Sequence, residues 1–105
     1  MAQKNSIEYT ATDYEALDLL QEECAEVIQM VSKIRRFGTD SYHPGDPAKR
    51  TNIQLLEDEL GDVALIQDIL VKRNIVSKPN ILERMKYKIK KLSVYTNLFK
   101  GNDNG

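Results

Sequence analysis

Three stretches of the chain carry apolar residues at the three- and four-residue steps of an α-helix, which predicts an all-α fold with about three main helices. In the first, over about residues 13–37, Leu17, Leu20, Cys24, Val27, Ile28 and Val31 form the apolar arc. Thr12-Asp13-Tyr14-Glu15 reads as its capping box and Gly38 as its stop, with Lys33, Arg35 and Arg36 in the last turns, where the helix dipole favours cations. The second opens at Thr51-Asn52-Ile53-Gln54, runs to about Arg73, and centres its arc on Leu56, Val63, Ile66 and Leu70. The third starts at Pro79, which suits a first turn, and runs to about Phe99 with Leu82, Met85, Ile89 and Leu92 as a seam for bundle packing. Residues 1–11 read as a polar arm that is loose unless it packs on a neighbour, 12–99 as one helical domain, and 100–105 as a disordered tail.

A chain of 105 residues supports one modest core. Three helices of this size leave apolar surface over, so the bundle is expected to be completed by oligomerisation. A net charge of -1 and an isoelectric point near 5.8 give no reason to expect a nucleic-acid or membrane partner. The absence of a long apolar run or a secretion signal predicts a cytoplasmic protein. The lone Cys24, on the apolar arc, is expected to be a buried, inert thiol. His43 is the only histidine and sits in a loop, which removes histidine-based zinc sites and the Glu-x-x-His pattern of di-iron bundles.

Charge changes the picture at two places. Glu22, Glu23 and Glu26 fall within one narrow arc of the first helix, and Glu59 and Asp62 share another on the second. Side chains three and four positions away are the natural partners on a helix, and for all five acids those positions hold apolar residues, glutamines or further acids. In projection Glu59 lies between Ile66 and Leu70, Asp62 at the margin of the same stripe, and Glu23 and Glu26 beside Leu19 and Met30, with Glu22 further out. Acids in or beside faces that should be buried require protonation, basic residues from elsewhere in the chain, or a hard divalent cation. Glu57, Asp58 and Asp68 point the other way and read as solvated surface. Gly61 costs its helix roughly 0.5–1 kcal/mol relative to alanine, a cost that a close helix crossing or room for a ligand beside Asp62 would explain.

The connection over residues 38–50 exceeds the usual length between helices, and such loops often carry function. Its Tyr42, His43, Lys49 and Arg50 offer an aromatic face and positive charge and are candidates to face a substrate, as are Lys88, Lys91 and Tyr95 on the basic flank of the third helix. Mg²⁺ binds through a few carboxylates together with phosphate oxygens, so four acids on two neighbouring helices suit a metal-dependent hydrolase acting on a polyphosphate without a Ser, Cys or His nucleophile.

Glu22-Glu23-Cys24-Ala25-Glu26 matches Glu-Glu-x-x-Glu, and Glu59-Leu60-Gly61-Asp62 matches Glu-x-x-Asp. In this order on successive helices they make the chain resemble the MazG-like, all-α nucleoside triphosphate pyrophosphohydrolases over about residues 12–95. The resemblance implies a helical bundle that forms a dimer or a tetramer. It also implies Mg²⁺-dependent cleavage of (d)NTPs between the α and β phosphates to (d)NMP and pyrophosphate, with Mn²⁺ as a substitute ion. It further implies that Glu23, Glu26, Glu59 and Asp62 are metal ligands, and that Glu22 orients or deprotonates water. Residues 27–58 form a longer connection than most members of that family show, so base preference does not carry over. Two rival readings stand beside this one. One is a non-catalytic helical interaction module whose acids meet Lys88 and Lys91 across the bundle; the other is an enzyme of the same architecture acting on phosphoribosyl-ATP.

Overall fold

The computed structural model describes residues 3–101; Met1, Ala2 and residues 102–105, which make up most of the 100–105 tail expected to be disordered, lie outside the described residues. After one 3-10 turn at Ser6–Glu8 come three helices, α1 (Ala11–Phe37), α2 (Asn52–Lys72) and α3 (Lys78–Tyr95). The fold is all-α, and the only bridge between extended residues among those described is the isolated pair Tyr42 and Thr51.

Helix α1 begins two residues earlier than the Thr12 box implies. Thr10 is the cap: its hydroxyl accepts the Asp13 N–H and the Asp13 carboxylate accepts the Thr10 N–H, a reciprocal pair that leaves Thr12 exposed on the first turn. Gly38, at φ +92°, ends the helix and donates its N–H to the Ile34 carbonyl. Helix α2 starts as expected, with Thr51 and Gln54 forming the capping box. The chain leaves it through Asn74 at φ +61°, a left-handed conformation that asparagine tolerates better than most residues. In α3 Pro79 occupies the first turn, while Thr96 closes the helix by turning both its N–H and its hydroxyl onto the Leu92 carbonyl, well short of Phe99.

α1 and α2 pack as an antiparallel hairpin. Ala16, Ile66, Leu70 and Ile75 form its buried core, with Tyr9, Leu17, Leu20, Ile69 and Val76 against them. The face of α1 that meets α2 is rotated from the expected arc: Ala16 and Met30 are buried, whereas Ile28 is 70 % exposed, and Val31 and Cys24 are exposed too. A helix with a single partner covers only a narrow stripe. The small Ala16 side chain suits close packing on the end of α2, and this turns Cys24, expected to be buried, into solvent.

The arm is not loose over its described part. Lys4 donates its N–H to the Asn74 carbonyl, Gln3 Nε2 donates to the Ile75 carbonyl, and the Lys4 ammonium reaches Asp13 at 2.7 Å. Asp13 has no exposed surface and is also held by Arg73 Nε at 2.7 Å. One buried carboxylate thereby ties the arm, the start of α1 and the end of α2 together, and the two cations with the Thr10 N–H hold it well below the usual carboxylate range.

α3 makes only marginal contact with the hairpin. The radius of gyration is 17.5 Å, against about 13 Å for a compact chain of this length. The seam residues Leu82, Met85 and Ile89 remain about half exposed. Gly61 faces open space, with nothing within 4 Å of a built Cβ, so no crossing within the chain explains it.

Candidate metal centre

Midway along the hairpin, oxygens of Glu23 and Glu26 from α1 and Glu59 from α2 all lie within 4.8 Å of one another. The local reason is helical arithmetic: Glu23 and Glu26 stand one turn apart at the edge of the α1 face, and Glu59 belongs to the α2 stripe that presses against it. Glu23 and Glu59 are half-buried and Glu26 is exposed. Glu23 Oε2 and Glu59 Oε2 are each buried with no hydrogen-bond partner. A buried polar atom left unpaired is uncommon in folded proteins and costly, the more so when it is ionised.

The electrostatics record that cost. Glu59 is pushed up to about 7, first by the neighbouring Glu26 carboxyl, then by burial and by Glu23. Glu23 is raised chiefly by burial, with the charges of Glu26 and Asp62 adding to it and the neighbouring Glu59 carboxyl opposing it. No lysine or arginine relieves them: the ion pairs among the described residues are Lys4–Asp13, Arg73–Asp13, Arg50–Asp58 and Lys72–Asp68. Of the three remedies open to the sequence, basic partners are therefore not used among the described residues. The raised Glu59 carboxyl makes protonation one available compensation, and a cation would be the other.

Asp62 is exposed and outside the tight trio, yet close enough to Glu23 for its charge to act there. Glu22 is exposed on the outer side of α1. The candidate substrate contacts are dispersed. Arg50 is committed to Asp58 at 2.6 Å; Lys49 is exposed at φ +53°; and Tyr42 lies against a cleft at the loop end of the hairpin. Lys88 borders a separate shallow groove with Val76, Arg84 and Met85, and Lys91 and Tyr95 are exposed on α3. None of the six ion-pairs with the trio in this chain.

The loop over residues 38–51 is firmly built. Asp46 accepts the N–H groups of Ala48 and Arg50, both at 2.9 Å, which also lowers its own carboxyl below the ordinary range. The Asn52 N–H donates to the Ser41 carbonyl, and the Asn52 side chain donates to Gly38. Sequence reading passed over Asp46 and Asn52; the Pro-Gly-Asp-Pro run that makes Asp46 a turn former was the available signal. Among the described residues no helix is long and apolar enough to cross a membrane. No family model, curated protein or solved structure matches the chain.

Proposed function

We propose that the chain is a Mg²⁺-dependent nucleoside triphosphate pyrophosphohydrolase of the kind its two acidic motifs resemble. The observation that carries the reading is the pair of buried, unpartnered oxygens Glu23 Oε2 and Glu59 Oε2 beside Glu26. Hard carboxylate oxygens with no cation of their own are the donor set that Mg²⁺ or Mn²⁺ takes, so the residues fit the ion. Glu23, Glu26 and Glu59 would hold it, with Asp62 at the margin toward the phosphates. Bound there, the ion would neutralise phosphate charge and make a water more acidic.

The chain's own residues do the rest. Glu59 gives up the proton it keeps near neutrality when the site fills. Glu22, exposed one residue before Glu23, accepts the proton of the attacking water. The water oxygen bonds to the α-phosphorus as the link to the bridging oxygen breaks, leaving a nucleoside monophosphate and pyrophosphate.

A homo-oligomer is part of the proposal. Cys24, Ile28 and Val31 recur at i, i+4 and i+7 on a side of α1 turned from α2; Leu60 is exposed on α2, and the α3 seam has no cover. Uncovered apolar stripes on a chain this open are met by a second copy packing hairpin to hairpin. The interaction-module alternative loses its main support, because α3 does not bring Lys88 or Lys91 to the acids of its own chain.

The test is release of pyrophosphate and monophosphate from a (d)NTP panel with and without Mg²⁺, with phosphoribosyl-ATP as a separate substrate. Glu59→Gln and Asp62→Asn are expected to abolish turnover while keeping helicity; full turnover in both would end the assignment.

A further inference from the structure

The loop end of the hairpin holds a cleft of about 380 Å³ lined by Lys33, Phe37, Tyr42, His43, Asn52 and Leu55. Its volume is at the lower end of the range for small-molecule sites. Three of its eight lining residues, Phe37, Tyr42 and His43, carry flat rings.

The ring of His43 is preset. The Gly45 N–H donates to His43 Nδ1 at 2.9 Å, so the neutral imidazole carries its proton on Nε2. That N–H has no acceptor among the described residues. Gly45 gives the ring its room: a Cβ there would stand 3.1 Å from Nδ1 and 3.2 Å from Cε1, and the ring would have to give by a few tenths of an ångström. The turn behind the ring is fixed in its own right, since the Asp46 N–H donates to the His43 carbonyl at 3.0 Å and the Asp46 carboxylate holds the amides that follow.

The cleft also stands at a useful distance from the carboxylates. Leu55 precedes Glu59 by one helical turn, about 6 Å of rise, and Lys33 follows Glu26 by two turns on nearly the same face, about 10 Å. A phosphate chain reaching the trio would leave the other end of its molecule at this cleft, with the Lys33 ammonium beside it.

We propose that the cleft binds the nucleoside end of the substrate, taking a base that bears a ring carbonyl: Phe37 and Tyr42 meet its plane and His43 Nε2–H donates to the carbonyl. The inference rests on the triphosphate reading for what lies beyond the sugar, and on the cleft alone for the base. Aromatic faces stack on any base, so Tyr42 and Phe37 supply affinity, whereas the single preset donor selects. Adenine offers such a donor only ring nitrogens, set back from a carbonyl oxygen by about the length of a C=O bond, so it is the base this placement disfavours.

The experiment needs no turnover. His43 is the only histidine, so its Hε1 proton gives one imidazole signal in the NMR spectrum of the full chain. Thymidine, guanosine, adenosine and ribose are titrated separately without metal. Thymidine and guanosine are expected to move that signal saturably, with adenosine binding at least fivefold more weakly and ribose having no effect. Tyr42→Ala is expected to weaken thymidine about tenfold, Tyr42→Phe to keep it, and Glu59→Gln to leave it unchanged. Gly45→Ala, checked for intact helicity, is expected to displace the ring and remove the preference over adenosine. No saturable shift with any nucleoside, equal binding of adenosine and thymidine, or indifference to Tyr42→Ala would overturn the proposal. A chain that binds thymidine in this way but releases no pyrophosphate would refute the hydrolase and leave the base site standing.

Discussion

Replacing Glu59 with glutamine removes one charge from the trio while keeping the shape of the side chain. The Glu26 and Glu59 oxygens are no more than 4.8 Å apart. Two unit charges at that distance repel by about 3.5 kcal/mol at an effective dielectric near 20 and by about 0.9 kcal/mol in bulk water. Glu26 is exposed, so the watery end of the range applies, and Glu59→Gln should stabilise the metal-free protein by about 1 kcal/mol at pH 8. For a domain near 100 residues that is a rise in Tm of roughly 4–8 °C. The gain depends on pH. Folding raises Glu59 from its ordinary 4.5 to about 7, so its favourable contribution is complete below pH 4.5 and is lost as pH climbs through 7. The melting temperatures of wild type and variant should therefore converge by pH 5 and separate above 7. The assay is thermal unfolding by circular dichroism across that range in the presence of a chelator. A variant less stable than wild type at pH 8, or a difference that ignores pH, would refute the electrostatic reasoning.

Asp13→Asn should destabilise far more than Lys72→Met, because it strips charge from a buried site held by two cations, whereas Lys72 pairs with Asp68 on the surface. The wild-type contribution of Asp13, whose carboxyl is depressed on folding, should be present above its ordinary value of 3.8 and fade as pH falls below it, as acid unfolding of the two proteins would show. Gly61→Ala, with open space around it, should add roughly 0.5–1 kcal/mol of stability in denaturant titrations; a loss would mean that a second copy or a ligand occupies that space. Ile28→Glu should shift the light-scattering mass of the protein toward that of one chain, and an unchanged mass would remove α1 from the interface.

How far the sequence could be read follows from what periodicity encodes. Spacing alone brought Glu23, Glu26 and Glu59 to the helix pair, because acids without partners at three and four residues can find relief only across a packed interface, and Glu59 lies within the α2 stripe. The three helices and the Thr51 cap were legible for the same local reasons. Periodicity marks a face as apolar without saying what covers it: surplus apolar surface was expected from the chain's size, but not that it would fall on Ile28, Val31 and the α3 seam, nor that Cys24 would be exposed. The Asp13–Arg73 contact joins residues sixty apart in the chain, beyond any local rule. The sequence reading put the cap at Thr12, whereas Thr10 takes it, because Asp13, then at the third helical position, meets Lys4 and Arg73 as well.

The central claim, that the trio is a cation site, is tested most directly by calorimetric titration of the protein with Mg²⁺ and Mn²⁺ at pH 8 and pH 6 in buffers of differing ionisation enthalpy. Saturable binding that tightens from pH 6 to pH 8, releases a fraction of a proton near pH 7 and disappears in Glu59→Gln is the predicted result. The absence of binding at pH 8, or binding unchanged in Glu59→Gln, would contradict the claim.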